Sequence, residues 1–211
     1  MTGRRRIKPT YSSSVFVNCP FDFEYRPLFR ALIFAIEACG FSPRCALEVD
    51  DSGEPRAEKL IRLIRSSRYG IHDISRTELG AAGLPRFNMP YEFGVFVGLK
   101  YSAEPAQRRK AVLVLDREPY RYQRFLSDIA GHDIQSHDGQ IELLLIKVRN
   151  WLFNQGHQDI IGSAELQDQF NAFMSDIPHT LLQLRKSEAD LENYQDFRQV
   201  VFSWLDIQWS K

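Results

Sequence analysis

The sequence lacks an excess of either charge, because 27 Lys and Arg residues balance 27 Asp and Glu residues. A general binder of the phosphate backbone normally carries a basic excess, so we do not expect nucleic acid as a partner. No apolar run reaches the roughly 18 residues of a membrane span, and no signal-peptide segment opens the chain. We therefore expect a cytoplasmic protein with no membrane partner. The arginines near the start predict a disordered basic tail over residues 1–13.

Cysteine is scarce, and several catalytic motifs are missing. The three cysteines, Cys19, Cys39 and Cys45, are odd in number and lack the spacing of a zinc site, so we expect no metal. The chain has no Gly-x-Gly-x-x-Gly, no Gly-x-x-x-x-Gly-Lys-Ser/Thr and no Gly-x-Ser-x-Gly. A Rossmann dehydrogenase, a P-loop NTPase and a nucleophile-elbow hydrolase are therefore disfavoured. A phosphoacceptor receiver domain is disfavoured as well, because Asn-Cys-Pro follows the first apolar run where that domain has acidic residues.

Apolar runs alternate with amphipathic segments over most of the chain. This alternation predicts an α/β domain over residues 14–155, built on an open, parallel, doubly wound, five-stranded sheet. After residue 156 the pattern becomes helical, which predicts a helical extension over 156–211 with N-caps at Asp176 and Asn193. The predicted strands are 14–18, 41–47, 69–74, 110–116 and 132–135, and the predicted helices are 28–39, 56–67, 88–101, 122–129, 141–154, 163–174, 178–185 and 193–204.

One stretch, residues 86–101, passes from a loop into a helix and carries a single carboxylate. Asn88 is a suitable N-cap, and Pro90 is tolerated only in a first helical turn. Glu92 would then lie in the first turn, where the helix dipole and the unpaired N–H groups favour a carboxylate. Glu92 is the candidate catalytic residue, although complementing the dipole is an equally simple role for it.

Ligands of open α/β sheets bind beyond the carboxyl ends of the strands, so the residues that follow each predicted strand are candidates for a binding site. Asp73 and Asp116 have a simpler alternative role as caps of the loops that follow them. Phe21 and Phe23 can equally pack their own loop, and His72 fits a structural role better than a catalytic one. The candidate nucleotide-binding residues are Asn18, Phe21, Phe23, Arg44, Asp73, Ser75, Arg86, Phe87, Asn88, Asp116 and Arg117.

Three segments carry a resemblance to a known family. Val-Asn-Cys-Pro-Phe-Asp at 17–22, Arg-Tyr-Gly-Ile-His-Asp-Ile-Ser at 68–75 and Leu-Pro-Arg-Phe-Asn-Met-Pro-Tyr-Glu-Phe-Gly at 84–94 resemble small bacterial TIR-like proteins. These belong to the broader group of TIR and nucleoside 2-deoxyribosyltransferase-like proteins. The resemblance implies a flavodoxin-like fold in which Glu92 acts at the ribose C1′ of NAD or a related nucleotide. It also implies a role in anti-phage defence. The chain departs from the usual TIR pattern, since Arg-Phe-Asn-Met-Pro replaces the Trp-Cys stretch before the glutamate.

Three functions remain open at this point. The first is an N-glycosidase or ribosyltransferase with NAD or a related nucleotide as substrate and no other cofactor. The second is a non-catalytic module that senses a nucleotide. The third is a scaffold that forms a homo-oligomer or binds a partner protein through the sheet domain or the C-terminal helices. An enzyme needs Glu92 to face a pocket, whereas a scaffold is expected to leave Glu92 bonded to backbone N–H groups.

Overall fold

The computed structural model describes residues 9–48, 51–76, 87–129 and 131–210. Its five strands form a single sheet in the order β2-β1-β3-β4-β5, and every pair of neighbours is parallel. The predicted open, parallel, doubly wound sheet is therefore confirmed, with the flavodoxin-like strand order. The strands are β1 (Ser14–Asn18), β2 (Ser42–Arg44), β3 (Tyr69–Asp73), β4 (Ala111–Asp116) and β5 (Ile134–Ser136).

Helices cover both faces of the sheet. α1 and α4 pack together on one face, while α2 and α3 pack on the other. The last two helices, α5 and α6, pack against each other and against α1. None of the described helices is long and apolar enough to cross a membrane. The helices are α1 (Arg26–Ala38), α2 (Arg56–Arg65), α3 (Asn88–Lys100), α4 (Ile141–Asn154), α5 (Ser163–Leu184) and α6 (Tyr194–Trp209).

The strand β1 is buried on both faces, as its continuous apolar run predicts. Val15 and Val17 join a core that includes α1, α4, α5 and α6, whereas Phe16 joins the core of α2 and α3. The C-terminal helices complete the first of these cores, because Phe34 of α1 stacks on Phe173 of α5 with ring centroids 5.1 Å apart. The helical extension and the sheet unit thus share one hydrophobic core.

The C-terminal extension differs from its prediction in one respect. The sequence predicts a helix end before Pro178, but α5 runs through Pro178 without interruption. Phe173, Ile177 and Leu181 are buried along one side of this helix, and this packing outweighs the hydrogen bond that proline removes. Asp176 is therefore not an N-cap, and its Oδ2 accepts a hydrogen bond from Trp204 Nε1 at 3.0 Å. The predicted cap at Asn193 is confirmed by its bonds from Gln195 N and Asp196 N.

Two other elements are shorter than predicted. The strand β2 ends at Arg44, because the chain turns into a 3₁₀ helix over Ala46–Glu48. The helix predicted over 122–129 consists of two 3₁₀ turns, Arg121–Arg124 and Ser127–Ile129. Neither change alters the order of the strands.

A buried ion pair joins α6 to α1. Arg198 Nε donates to Glu37 Oε1, and Arg198 Nη2 donates to Ser42 Oγ at 2.6 Å. Both charged side chains are nearly inaccessible to solvent. Removing only one of them leaves a buried charge without its counter-ion, which is strongly destabilising.

We expect Arg198→Met to lower the free energy of unfolding by about 3–5 kcal/mol. The double variant Arg198→Met/Glu37→Leu should recover a large part of this loss, because both charges of the pair are then removed. Urea unfolding followed by circular dichroism measures both values. Equal losses in the single and double variants would contradict this account of the pair.

Candidate functional site

The order of the strands places the expected ligand site between β1 and β3. From β1 the chain moves outward to β2 on one side and then returns to β3 on the other, so this is the switch point of the sheet. A cavity of about 420 Å³ lies beyond the carboxyl ends of the strands here, within the size range of ligand pockets. We call it the switch-point cleft. It is lined by Asn18, Cys19, Pro20, Phe21, Asp22, Arg56, Asn88, Met89 and Glu92.

Glu92 is the main chemical feature of this cleft. Its residue is only 7% exposed, yet its carboxyl group makes no hydrogen bond or ion pair with any described residue. Burial raises the pKa of Glu92 to about 7, and the positive charge of Arg56 offsets this only in part.

The start of α3 explains why no backbone N–H group of the described residues bonds to Glu92. The helix begins at Asn88, one residue earlier than an Asn88 cap requires, because Phe87 already has a helical backbone. The predicted Asn88 cap is therefore wrong, and Phe87 in the cap position supplies no side-chain hydrogen bond. Glu92 is the fifth residue of α3, beyond the first turn in which we predicted it. Its carboxyl group is directed into the cleft instead.

Asn18 holds the floor of the cleft in place. Its Nδ2 donates to the carbonyl oxygen of Met89 at 2.8 Å and to His72 Nδ1 at 2.9 Å. These bonds join the end of β1 to α3 and to β3, and Asn18 Oδ1 has no hydrogen-bond partner within the described ranges. His72 is buried, and burial lowers its pKa to about 3, so the ring is neutral. The structural role expected for His72 agrees with this geometry.

Cys19 offers no nucleophile to the cleft. Its thiol is buried, and burial together with the charge of Asp73 raises its pKa well above the usual value. The thiol therefore stays protonated at neutral pH, and a thiolate is the reactive form of cysteine.

Asp73 lies outside the switch-point cleft, in a buried cluster of its own. Its Oδ1 accepts a hydrogen bond from Ser75 N at 2.8 Å, and its Oδ2 accepts one from the hydroxyl of Tyr25. His137 Nδ1 accepts a hydrogen bond from Gly139 N at 3.0 Å, and His137 Nε2 lies 3.0 Å from Asp73 Oδ2. Burial acts to raise the pKa of Asp73, but the contacts with His137, Ser75 and Tyr25 outweigh it and lower that pKa.

Asp116 also caps a loop. Its Oδ1 accepts hydrogen bonds from Arg117 N at 2.7 Å and from Arg121 Nε at 2.9 Å. Burial raises the pKa of Asp116 despite these contacts. Arg44 is held elsewhere, because it forms a two-point contact with the carboxylate of Glu48 on the far side of β1. Neither Asp116 nor Arg44 lines the cleft.

The predicted aromatic residues separate in the structure. Phe21 lines the cleft and packs edge-on against Phe29, with ring centroids 5.5 Å apart. Phe23 is exposed outside the cleft, with the guanidinium group of Arg26 5.0 Å from its ring centroid. Phe87 is exposed just before α3 and does not line the cleft. Arg86 lies outside the residues that the structure describes.

The prediction missed several residues of these sites. Arg56 reaches the cleft because α2 begins at the same sheet edge, and the charged start of that helix was a usable signal. Asp22 also lines the cleft and lies in a loop that the sequence already indicated. Tyr25 and His137 had no such signal, since their contacts with Asp73 join residues far apart in the sequence.

The comparisons with known proteins assign no family to this arrangement. Within the described ranges, no group of three or more His, Cys, Asp or Glu side chains is placed to hold a metal ion. No family model, no curated protein and no solved structure matches the chain.

Proposed function

We propose that the protein is a TIR-like N-glycosidase or ribosyltransferase that acts at the ribose C1′ of NAD or a related nucleotide. The observation that carries this proposal is the carboxyl group of Glu92, which faces the switch-point cleft with no partner among the residues that the structure describes. A scaffold has no need of a buried carboxyl group that costs stability. The resemblance of three segments to TIR-like proteins supports the same chemistry and the role in anti-phage defence.

In this reaction the bond between C1′ and the nicotinamide nitrogen breaks, and its electron pair leaves with nicotinamide. The ribose becomes an oxocarbenium-like ion, which the ionised Glu92 stabilises or attacks to form a glycosyl-enzyme. Water or another acceptor then bonds to C1′ and loses a proton to the solvent. Asn18 lines the same cleft, and we assign its Oδ1 as the acceptor of a hydrogen bond from a ribose hydroxyl.

The pKa of Glu92 suits this role. At a value of about 7 the carboxyl group is half ionised at neutral pH. The nicotinamide ring of NAD carries a positive charge, so its arrival favours the ionised form. The attraction between the Glu92 carboxylate and C1′ strengthens as positive charge develops at C1′, and this lowers the energy of the transition state.

The test is incubation of purified protein with NAD, with nicotinamide release followed by chromatography. We expect release by the wild type and a loss of at least about 100-fold in Glu92→Gln. Glu58→Gln is the matched control, because it removes an exposed carboxylate from α2 close to Arg56, and it should react like the wild type. Equal release by the wild type and Glu92→Gln would contradict the proposal. No release by any variant at high protein concentration would overturn NAD cleavage and favour the nucleotide-sensing module.

A further inference from the structure

The amide group of Asn18 is held in one orientation at the floor of the switch-point cleft. A carbonyl oxygen only accepts hydrogen bonds, so the Asn18 atom that lies 2.8 Å from the oxygen of Met89 is the amide nitrogen, Nδ2. The same nitrogen lies 2.9 Å from His72 Nδ1, which accepts its second N–H. Both N–H groups of Nδ2 are therefore used within the protein.

The ring of His72 supports this orientation. His72 is fully buried, and burial lowers its pKa to about 3, so the ring is neutral and Nδ1 is able to accept. Phe93 and Phe96 pack edge-on against the ring, with centroids 5.3 and 5.0 Å from its own, and hold it in place. Turning the Asn18 amide over would place its oxygen against the oxygen of Met89, with no proton between them.

The orientation of the amide decides what Asn18 offers to a ligand. Its Oδ1 lies on the other branch of the amide and makes no hydrogen bond with any residue in the described part of the chain. Asn18 is only 3% exposed, and it lines the cleft. An amide oxygen accepts hydrogen bonds and cannot donate them, so Asn18 selects a ligand group that donates, such as a hydroxyl group.

Asn18 is attached to α3 close to Glu92. Its partner Met89 precedes Glu92 by three residues, and residues three apart are neighbours on a helix surface, with Cβ atoms about 5–6 Å apart. Asn18 and Glu92 also line the same cleft. In a sugar whose C1′ faces Glu92, the neighbouring carbon is C2′, so the hydroxyl group on C2′ is the sugar donor nearest to the reacting carbon.

We propose that Asn18 selects the sugar of the substrate: its Oδ1 accepts a hydrogen bond from the hydroxyl group on C2′, so that the cleft takes ribosyl substrates in preference to 2′-deoxyribosyl ones. The inference rests on the proposed function, because it places C1′ at Glu92. It adds the substrate class, since the action of Glu92 at C1′ does not itself require a hydroxyl group on C2′.

Isothermal titration calorimetry with Glu92→Gln, which should not consume its ligand, tests the proposal. The ligands are NAD and two analogues that lack either the 2′- or the 3′-hydroxyl group of the nicotinamide ribose. We expect Glu92→Gln to bind NAD about tenfold more tightly than the 2′-deoxy analogue, the effect of one hydrogen bond. The loss with the 3′-deoxy analogue should be smaller.

Further substitutions in the Glu92→Gln protein separate selection from structure. Asn18→Ala should remove the preference for NAD over the 2′-deoxy analogue, whereas a purely structural role of Asn18 would weaken both ligands equally and keep their ratio. Asn18→Asp retains an acceptor at this position and should retain the preference. Asn88→Ala is the matched control: it removes another amide group that lines the cleft, and the ratio of the two affinities should stay the same.

Equal affinity of Glu92→Gln for NAD and the 2′-deoxy analogue would overturn the proposal, and so would a preference that survives Asn18→Ala. A larger loss with the 3′-deoxy analogue would also overturn it, as would a failure to bind NAD at millimolar concentration. The comparison of ligands uses Glu92→Gln alone, so it remains decisive if Asn18→Ala does not fold.

Nicotinamide release by the wild type is a separate result. Release together with equal affinities would leave the proposed function standing and overturn the selection by Asn18. A preference for NAD without any release would support the selection and overturn NAD cleavage.

Discussion

Replacing Glu92 with glutamine is expected to stabilise the folded protein by about 3 kcal/mol at pH 8 and to change its stability little at pH 4. Burial raises the pKa of Glu92 to about 7 in the folded state, compared with 4.5 for an ordinary glutamate. At a pH between these two pKa values, Glu92 keeps its proton in the folded protein but has lost it in the unfolded chain. The stability linked to Glu92 is therefore fully present below about pH 4.5 and is lost as the pH rises through 7. Glutamine cannot ionise and avoids this loss.

Urea unfolding of the wild type, Glu92→Gln and Glu58→Gln at pH 4, 6 and 8 measures the effect. The difference between the wild type and Glu92→Gln should grow with pH, whereas Glu58→Gln should follow the wild type at each pH. A Glu92→Gln variant that is less stable than the wild type at pH 8 would mean that the carboxylate has a stabilising partner. A carboxylate that costs stability where it lies is typical of a residue retained for function.

Replacing Gly70 with alanine is expected to lower the free energy of unfolding by about 3 kcal/mol, at the upper end of overpacking effects. Gly70 pairs with both β1 and β4 in the middle of the sheet. A Cβ atom there would lie 2.6 Å from Phe96 Cε2 and 2.9 Å from His72 Nε2. Phe96 cannot move easily, because it is fully buried and Lys110 Nζ lies 4.3 Å from its ring centroid.

Gly94→Ala is the matched control for this substitution. Gly94 is exposed on α3, and a Cβ atom there would meet nothing within 4 Å. Since alanine favours helix, Gly94→Ala should stabilise the protein by up to about 1 kcal/mol. Thermal unfolding of both variants gives the comparison. Similar midpoints for Gly70→Ala and the wild type would show that the core beneath the cleft is looser than the structure indicates.

Much of the fold could be predicted because its signals are local. The buried strands β1, β3 and β4 are short apolar runs, and their alternation with amphipathic helices leaves few possible arrangements. The continuous helix α5 could not be predicted, because Pro178 is a local signal that packing against other helices overrides.

The candidate site was predictable to a smaller extent. Residues at the carboxyl ends of parallel strands meet at one sheet edge, which brought Asn18, Phe21, Asn88 and Glu92 together correctly in the cleft. The same reasoning placed Asp73 there, but the structure pairs it with Tyr25 and His137. Such pairings depend on side chains that are distant in the sequence.

Arg44 had a local signal that went unused, since Glu48 follows it by four residues. A charged side chain that is paired within the protein, as Arg44 is, has a structural role, whereas one without such a partner can bind a ligand. Where those partners are local, the sequence can already indicate the outcome.

Within the part of the chain that the structure describes, Glu92 faces the cleft as a buried carboxyl group without a partner. A carbon-13 NMR titration of protein labelled at the glutamate carboxyl carbons tests it directly, with the Glu92 signal identified by its absence in Glu92→Gln. Our account predicts a pKa of about 7 for this signal, caused by burial. A pKa near the ordinary value of 4.5 would show that solvent or a partner stabilises the carboxylate, and would contradict the account.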